Sequence, residues 1–65
     1  MIIRRDILAT ARLLIKRHGS NAEDVATEKM LHLMEQDDVK GASVWLEINN
    51  AINVLEMRKR EKHLH

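Results

Sequence analysis

The sequence predicts an all-α protein of three helices, of which the third is the longest. Three observations support this: 45% of the residues are hydrophobic and mostly aliphatic, proline is absent, and glycine occurs only twice. No stretch combines the residue pattern of a strand with turn residues after it. We therefore expect a three-helix hairpin or bundle, with helices at about 4–18, 21–36 and 39–60. Residues 1–65 should form one domain, with a frayed tail at 61–65.

The first helix is predicted from apolar residues that recur at steps of three and four, the spacing of one helical face. Asp6 in its first turn and the basic residues 16–18 in its last turn suit the helix dipole. Gly19 follows directly and is the residue expected at a left-handed C-terminal cap. Leu13 falls off this face. The face itself comprises Ile3, Ile7, Leu8, Ala11, Leu14, Ile15 and His18.

The second helix is predicted to open at Ser20, because Ser20 and Glu23 have the spacing of a capping box. With so short a link at Gly19, the first two helices should form an antiparallel hairpin or a sharply angled corner. Leu31 and Met34 point away from the main face and give this helix a second apolar edge. The main face holds Ala22, Val25, Ala26, Met30 and Leu33.

The third helix carries two apolar faces. Asp37 or Asp38 can cap it, and Gly41 in its first turn suggests that another backbone approaches closely there. A helix that is apolar on two sides is usually covered on two sides. The first face is Val44, Trp45, Ile48, Ala51, Ile52 and Leu55, and the second is Val39, Ala42, Leu46 and Met57 with Asn49 and Asn53 beside it.

The second face of helix 3 predicts a protein interface. Two short helices rarely cover both flanks of a third along its length, and a 65-residue chain without cysteine must gain stability from packing or self-association. We therefore predict a homo-oligomer, with a dimer favoured and an unidentified protein partner as a further option. The predicted interface residues are Val39, Leu46 and Met57 on helix 3, with Leu31 and Met34 on helix 2.

Charge is distributed unevenly along the chain, although the formal net charge is only +1. Residues 1–19 carry a net +4, residues 20–37 carry a net −4, and the remainder carries +1. The simplest interpretation is that the basic surface of helix 1 faces the acidic surface of helix 2, within one chain or across a dimer. The alternative is nucleic-acid binding by the basic face of helix 1, through Arg5, Arg12, Lys16 and Arg17.

The polar residues predict no catalytic or metal-binding site. Ser20 is assigned to capping, Ser43 has no evident base beside it, and so small a chain lacks walls to enclose a substrate. His18 suits a helix C-terminus, and His63 and His65 suit a frayed end. The sequence thus predicts a non-enzymatic protein with no cofactor and no metal.

The compartment is predicted from the apolar runs and the lack of cysteine. No run approaches the ~18 residues that span a membrane, and the N-terminus does not have the pattern of a signal peptide. The absence of cysteine fits a reducing cytosol. We expect a cytoplasmic protein without membrane contact.

Three motifs follow one another along the chain: Ala-x-Leu-Leu-Ile-x-x-His-Gly at 11–19, Asp-Val-x-Gly-Ala-x-Val-Trp at 38–45 and Ile-x-x-Ala-Ile-x-x-Leu at 48–55. In this order they resemble a family of short uncharacterised bacterial proteins, largely alphaproteobacterial, known only as a domain of unknown function. The resemblance covers roughly residues 6–55 and has no counterpart for 58–65. It implies a bacterial cytosolic origin and three helices, and it implies no activity.

Overall fold

A computed structural model describes residues 4–63 of the chain, with the backbone alone described for 59–63. The elements are helix α1 (Arg4–His18), a 3-10 turn (Gly19–Asn21), helix α2 (Ala22–Glu35) and helix α3 (Val39–His63). There is no strand within the described residues, so the predicted all-α class is confirmed. Helix α3 continues to His63, three residues into the tail that the sequence predicts to fray; residues 64–65 of that tail lie outside the described part.

The predicted three-helix bundle is wrong in its division of the chain. Residues 4–35 form one uninterrupted helical run, residues 39–63 form a second, and only 36–38 separate them. Helix α3 packs against both α1 and α2, whereas α1 and α2 contact each other much less. The physical reason is the 3-10 turn, which keeps the backbone hydrogen-bonded through the bend and so needs no separate loop. The result is an elongated molecule of 44 × 22 × 16 Å.

The bend between α1 and α2 rests on Gly19. Its φ of 57° is left-handed, which confirms the predicted cap residue. The predicted capping box at Ser20 is wrong, because Ser20 lies inside the 3-10 turn and α2 begins at Ala22. No side-chain hydrogen bond caps α2 at Asn21, and the Ala22 N–H instead donates to the Gly19 carbonyl.

The turn at 36–38 joins α2 to α3 through a Schellman motif. The Asp38 N–H donates to the Leu33 carbonyl at 2.9 Å, and the Asp37 N–H donates to the Met34 carbonyl at 3.1 Å. Asp37 takes the left-handed conformation that this motif requires, with φ of 59°. Glycine is the usual residue there, and aspartate is one of the few others that adopt it readily.

Asp38 also caps α3, which confirms one of the two predicted cap residues. Its carboxylate Oδ1 accepts a hydrogen bond of 3.0 Å from the Gly41 N–H, and its carbonyl accepts one from Ala42. The predicted close backbone approach at Gly41 is wrong. A Cβ on Gly41 would meet the Asp38 carboxylate first, with Oδ2 at 2.5 Å. The glycine therefore makes room for the cap of its own helix.

The hydrophobic core lies where the three helices meet. Ile52 is the largest fully buried side chain of the described residues. The first predicted face of α3 is confirmed, because all of its residues belong to this core or pack against it. Ala42 was assigned to the second face but is buried, only 7% exposed. The core cluster is Ile7, Ala11, Ala22, Ala26, Ile48 and Ile52, surrounded by Leu14, Ile15, Val44, Trp45, Ala51 and Leu55.

Candidate interaction surfaces

The three apolar residues predicted as the helix 3 interface lie on the outer surface of α3. Val39, Leu46 and Met57 are 72%, 49% and 56% exposed. They are separated by seven and eleven residues, so they fall on one line along the helix. Val39 is nine residues before the buried Ile48, which places this line about 180° from the core at 100° per residue.

This line belongs to a longer row of uncharged side chains, which we call the outer seam. Its members alternate at steps of four and three, the spacing by which one helix receives another. Ser43 and Asn50 were not among the residues predicted from the sequence, although the four-three spacing indicates them. The outer seam consists of Val39, Ser43, Leu46, Asn50, Asn53 and Met57, all of them exposed.

Met34 lies on the same side of the α2–α3 pair as the outer seam. The Asn49 side-chain amide donates a hydrogen bond of 2.8 Å to the Thr27 hydroxyl, so these two residues mark one edge of the groove between the helices. Leu46 precedes Asn49 by three residues and Met34 follows Thr27 by seven, steps that keep a helical side chain on one face. The 55% exposed Met34 therefore extends the outer seam onto α2.

Leu31 lies apart from the other predicted interface residues. It follows the buried Ala22 by nine residues and so occupies the opposite face of α2, where it is 50% exposed. Asp24, Glu28 and Glu35 lie on this same face at steps of four and seven, and we call these three the acidic row. A shallow depression of about 570 Å³ runs along it, lined by Val25, Glu28, Lys29, Leu31, His32 and Glu35.

The four basic residues of α1 do not share one face. Arg5, Arg12 and Lys16 are separated by seven and four residues and form one line, which we call the basic row. Arg17 lies about 100° around the helix from Lys16. All four side chains are exposed, as are those of the acidic row. The charges of α1 and α2 are thus turned to the outside instead of being buried against each other.

A second cleft, of about 520 Å³, lies between α1 and α3. Its walls are mainly aliphatic, with one cation, one carboxylate and one amide at the edges, and they supply no nucleophile paired with a base. The lining residues are Arg4, Ile7, Leu8, Glu47, Asn50, Ala51 and Val54.

Among the described residues, no three histidine, cysteine or acidic side chains come together as a metal site would require. His32 instead pairs with Gln36 one turn further along, at 3.2 Å between the His32 Nε2 and the Gln36 Nε2. No helix within residues 4–63 has both the length and the apolar content needed to cross a bilayer.

Comparison with protein-family models, with curated proteins and with solved structures finds no match to this chain. The resemblance to the uncharacterised bacterial family therefore stays a prediction of the sequence motifs.

Proposed function

We propose that this chain is a non-enzymatic helical interaction module that associates with itself through the outer seam of α3. One observation carries the proposal: the seam is uncharged along six helical positions of a chain in which 32% of the residues are charged. A helix face turned to water would normally carry charges at several of these positions. The apolar Leu46 lies inside the seam, with Val39 and Met57 at its two ends, as expected of a helix that packs against a partner.

The small size of the core supports the same proposal. Four of the buried hydrophobic residues in the described part are alanines, which contribute little apolar area: Ala11, Ala22, Ala26 and Ala42. The chain exposes 5503 Å². A compact monomer of 7.6 kDa would expose about 4,300 Å². The larger exposed area fits an elongated chain with little apolar surface buried in its own core.

The asparagines of the seam favour a second copy as the partner. In a coiled coil, a buried asparagine selects register and partner number at a cost in stability, because its amide needs a matching polar group across the interface. Two identical seams supply that group: Asn50 and Asn53 of one copy can meet the same residues, or Ser43, of the other. The proposal commits to this symmetric pairing of like surfaces.

Sedimentation equilibrium over a hundredfold concentration range tests the proposal. At high salt, which screens contacts between exposed charges, the wild-type chain should sediment as at least two copies, and Leu46→Glu should reduce this to a monomer because the seam would then bury an unpaired carboxylate. Leu13→Glu is the matched control, since Leu13 on α1 is 47% exposed and Leu46 is 49% exposed. A wild-type monomer, or equal effects of the two substitutions, would remove the support for the seam.

A nucleic-acid regulator is the second candidate, favoured by the straight exposed line of Arg5, Arg12 and Lys16. Phosphate binding by this row predicts an affinity for DNA or RNA that falls steeply with added salt. Replacing these three residues by glutamine should abolish the fluorescence-anisotropy change of a labelled oligonucleotide at low salt, whereas Arg17→Gln should have a smaller effect. No anisotropy change with the wild-type chain at low salt would end this candidate. The cytoplasmic location and bacterial origin stay predictions of the sequence.

A further inference from the structure

The basic row of α1 and the acidic row of α2 have the same spacing. Each row has one uncharged residue at the same helical spacing, namely Ala9 in the basic row and Leu31 in the acidic row. Each set then steps by four, three and four residues, and all eight side chains are exposed. The first set is Arg5, Ala9, Arg12 and Lys16, and the second is Asp24, Glu28, Leu31 and Glu35.

The two rows match in charge when α1 and α2 are laid antiparallel. The first and last residues of each row are eleven positions apart, about 16 Å at a rise of 1.5 Å per residue, so no end is left without a counterpart. The side chains then meet in four layers. Three layers pair opposite charges, and in the fourth the small Ala9 lies beside the larger Leu31. The layers are Arg5 with Glu35, Ala9 with Leu31, Arg12 with Glu28, and Lys16 with Asp24.

These layers are not formed within one chain, because both rows lie away from the faces that α1 and α2 bury. Lys16 follows the buried Ile7 by nine residues, and Leu31 follows the buried Ala22 by nine, so each lies about 180° from its own core residue. To meet inside one chain, α1 and α2 would have to turn Ile7 and Ala22 to solvent. A partner for either row would therefore have to come from another molecule.

The ends of the rows give a second reason to expect a partner. Arg5 lies in the first turn of α1 and Glu35 is the last residue of α2. Each charge is unfavourable with the dipole of its own helix. In the antiparallel arrangement, Arg5 lies beside the negative end of α2 and Glu35 beside the positive end of α1, so both are compensated by the partner helix. Lys16 and Asp24 lie beside the unfavourable ends of the partner helix but are already compensated by the dipoles of their own helices.

We propose that a second copy of this chain binds with its α1 antiparallel on α2, joining the basic row of one copy to the acidic row of the other. The depression along α2 accommodates this contact, since Glu28, Leu31 and Glu35 line it. The contact is separate from the outer seam and does not use α3. Exposed ion pairs are individually weak and screened by salt, so this contact is strongest at low ionic strength.

Charge exchange tests the proposal through two complementary variants. The first carries Arg5→Glu, Arg12→Glu and Lys16→Glu, and the second carries Asp24→Lys, Glu28→Lys and Glu35→Lys. Each variant alone should associate at least about tenfold more weakly than the wild-type chain at low salt, because its two rows then repel. An equimolar mixture should regain the wild-type mass in sedimentation, since each variant offers the row that the other lacks. High salt should weaken association of the wild-type chain and of the mixture.

The controls separate this contact from other effects of charge. Arg17→Glu, Lys40→Glu and Arg58→Glu together change the net charge as much as the first variant does, at exposed positions outside both rows and outside the depression along α2, and should leave low-salt association unchanged. Circular dichroism verifies that each variant is helical. If a triple variant is unfolded, Arg12→Glu and Glu28→Lys test the central layer alone.

Three results would overturn the proposal. In the first, the mixture associates no more tightly than its components. In the second, a variant with all six changes regains wild-type behaviour while the mixture does not, which would place the pairing inside one chain. In the third, both charge variants keep the wild-type mass and the first alone loses binding to a labelled oligonucleotide, which would assign the basic row to nucleic acid. Failure here leaves the Leu46→Glu test intact, because that residue belongs to the outer seam.

Discussion

The side chains of Asn49 and Thr27 connect α3 to α2 by a hydrogen bond of 2.8 Å in a partly buried setting. It is a tertiary contact between residues 22 positions apart, beside the small core. A polar pair at such a place fixes the relative position of two helices more than apolar packing alone does.

Removing one partner of this pair should lower the free energy of unfolding. We expect Asn49→Leu or Thr27→Val each to cost about 0.5–1.5 kcal/mol, because the remaining polar group is left partly buried without its partner. Thr27→Ser keeps the hydroxyl and should cost less than Thr27→Val. Urea unfolding of the two single variants and the double variant measures the coupling, and a coupling of zero would show that the hydrogen bond adds nothing.

The Asp38 cap should contribute a measurable part of the stability of α3. Asp38→Ala removes the acceptor of the Gly41 N–H and should lower the free energy of unfolding by about 1 kcal/mol. Asp38→Asn and Asp38→Ser retain an acceptor oxygen and should restore most of the loss. Thermal unfolding followed by circular dichroism distinguishes these cases, and equal losses for all three would contradict a capping role.

The two left-handed residues should respond to substitution in opposite directions. Gly19→Ala should destabilise by about 1–2 kcal/mol through its backbone alone, since a Cβ at this position would meet no atom within 4 Å. Asp37→Gly should stabilise by up to about 1 kcal/mol, because glycine is unstrained at φ of 59°. Ser20→Ala is the neighbouring control and should change stability by less than about 0.5 kcal/mol, as it caps nothing. A loss at Ser20 as large as that at Gly19 would revive the capping box.

Ile52 should be the most sensitive position of the core. Ile52→Ala leaves a cavity at a fully buried site and should cost about 2–5 kcal/mol, enough to unfold much of so small a domain. Ile52→Val should cost about 0.5–1.5 kcal/mol. Val54→Ala on the same helix removes a side chain that is 50% exposed, so its effect on urea unfolding should be far smaller. Similar losses at both positions would place the core elsewhere.

The buried faces of the helices could be predicted from the sequence because apolar spacing reports burial directly. Ile7 and Ala11 on α1, and Ile48 and Ile52 on α3, follow the period of a helix and are all buried. Ala42 could not be assigned in this way. An alanine is compatible with either face, and its burial depends on how closely a neighbouring element approaches.

The position of the connection between α1 and α2 could be predicted, but its conformation could not. Gly19 marks the bend correctly, since few other residues adopt its backbone conformation without strain. Ser20 and Glu23 have the spacing of a capping box, but a 3-10 turn competes for the same backbone groups and satisfies them without the serine. Sequence spacing cannot decide between two local solutions of similar energy.

The candidate surfaces, too, could be predicted from the sequence only in part. Val39, Leu46 and Met57 were found because they are apolar residues off the core face. Asn50 and Ser43 were not, because a polar residue in a seam has meaning only once its exposed apolar neighbours are located. The match between the rows of α1 and α2 likewise required the knowledge that both rows are turned outward, which the charges alone do not reveal.

Asp38 caps the end of α2 with its N–H and the start of α3 with its carboxylate, and this has a consequence for folding kinetics. Only residues 36–38 separate these two helices, so the loop-closure entropy for bringing their adjoining ends together is small. Proteins rich in such local contacts fold within microseconds to milliseconds. We expect the α2–α3 hairpin to be the folding nucleus, with α1 docking after the transition state. Substitutions at Asp38 should then slow refolding, whereas those at Ile7 should mainly accelerate unfolding.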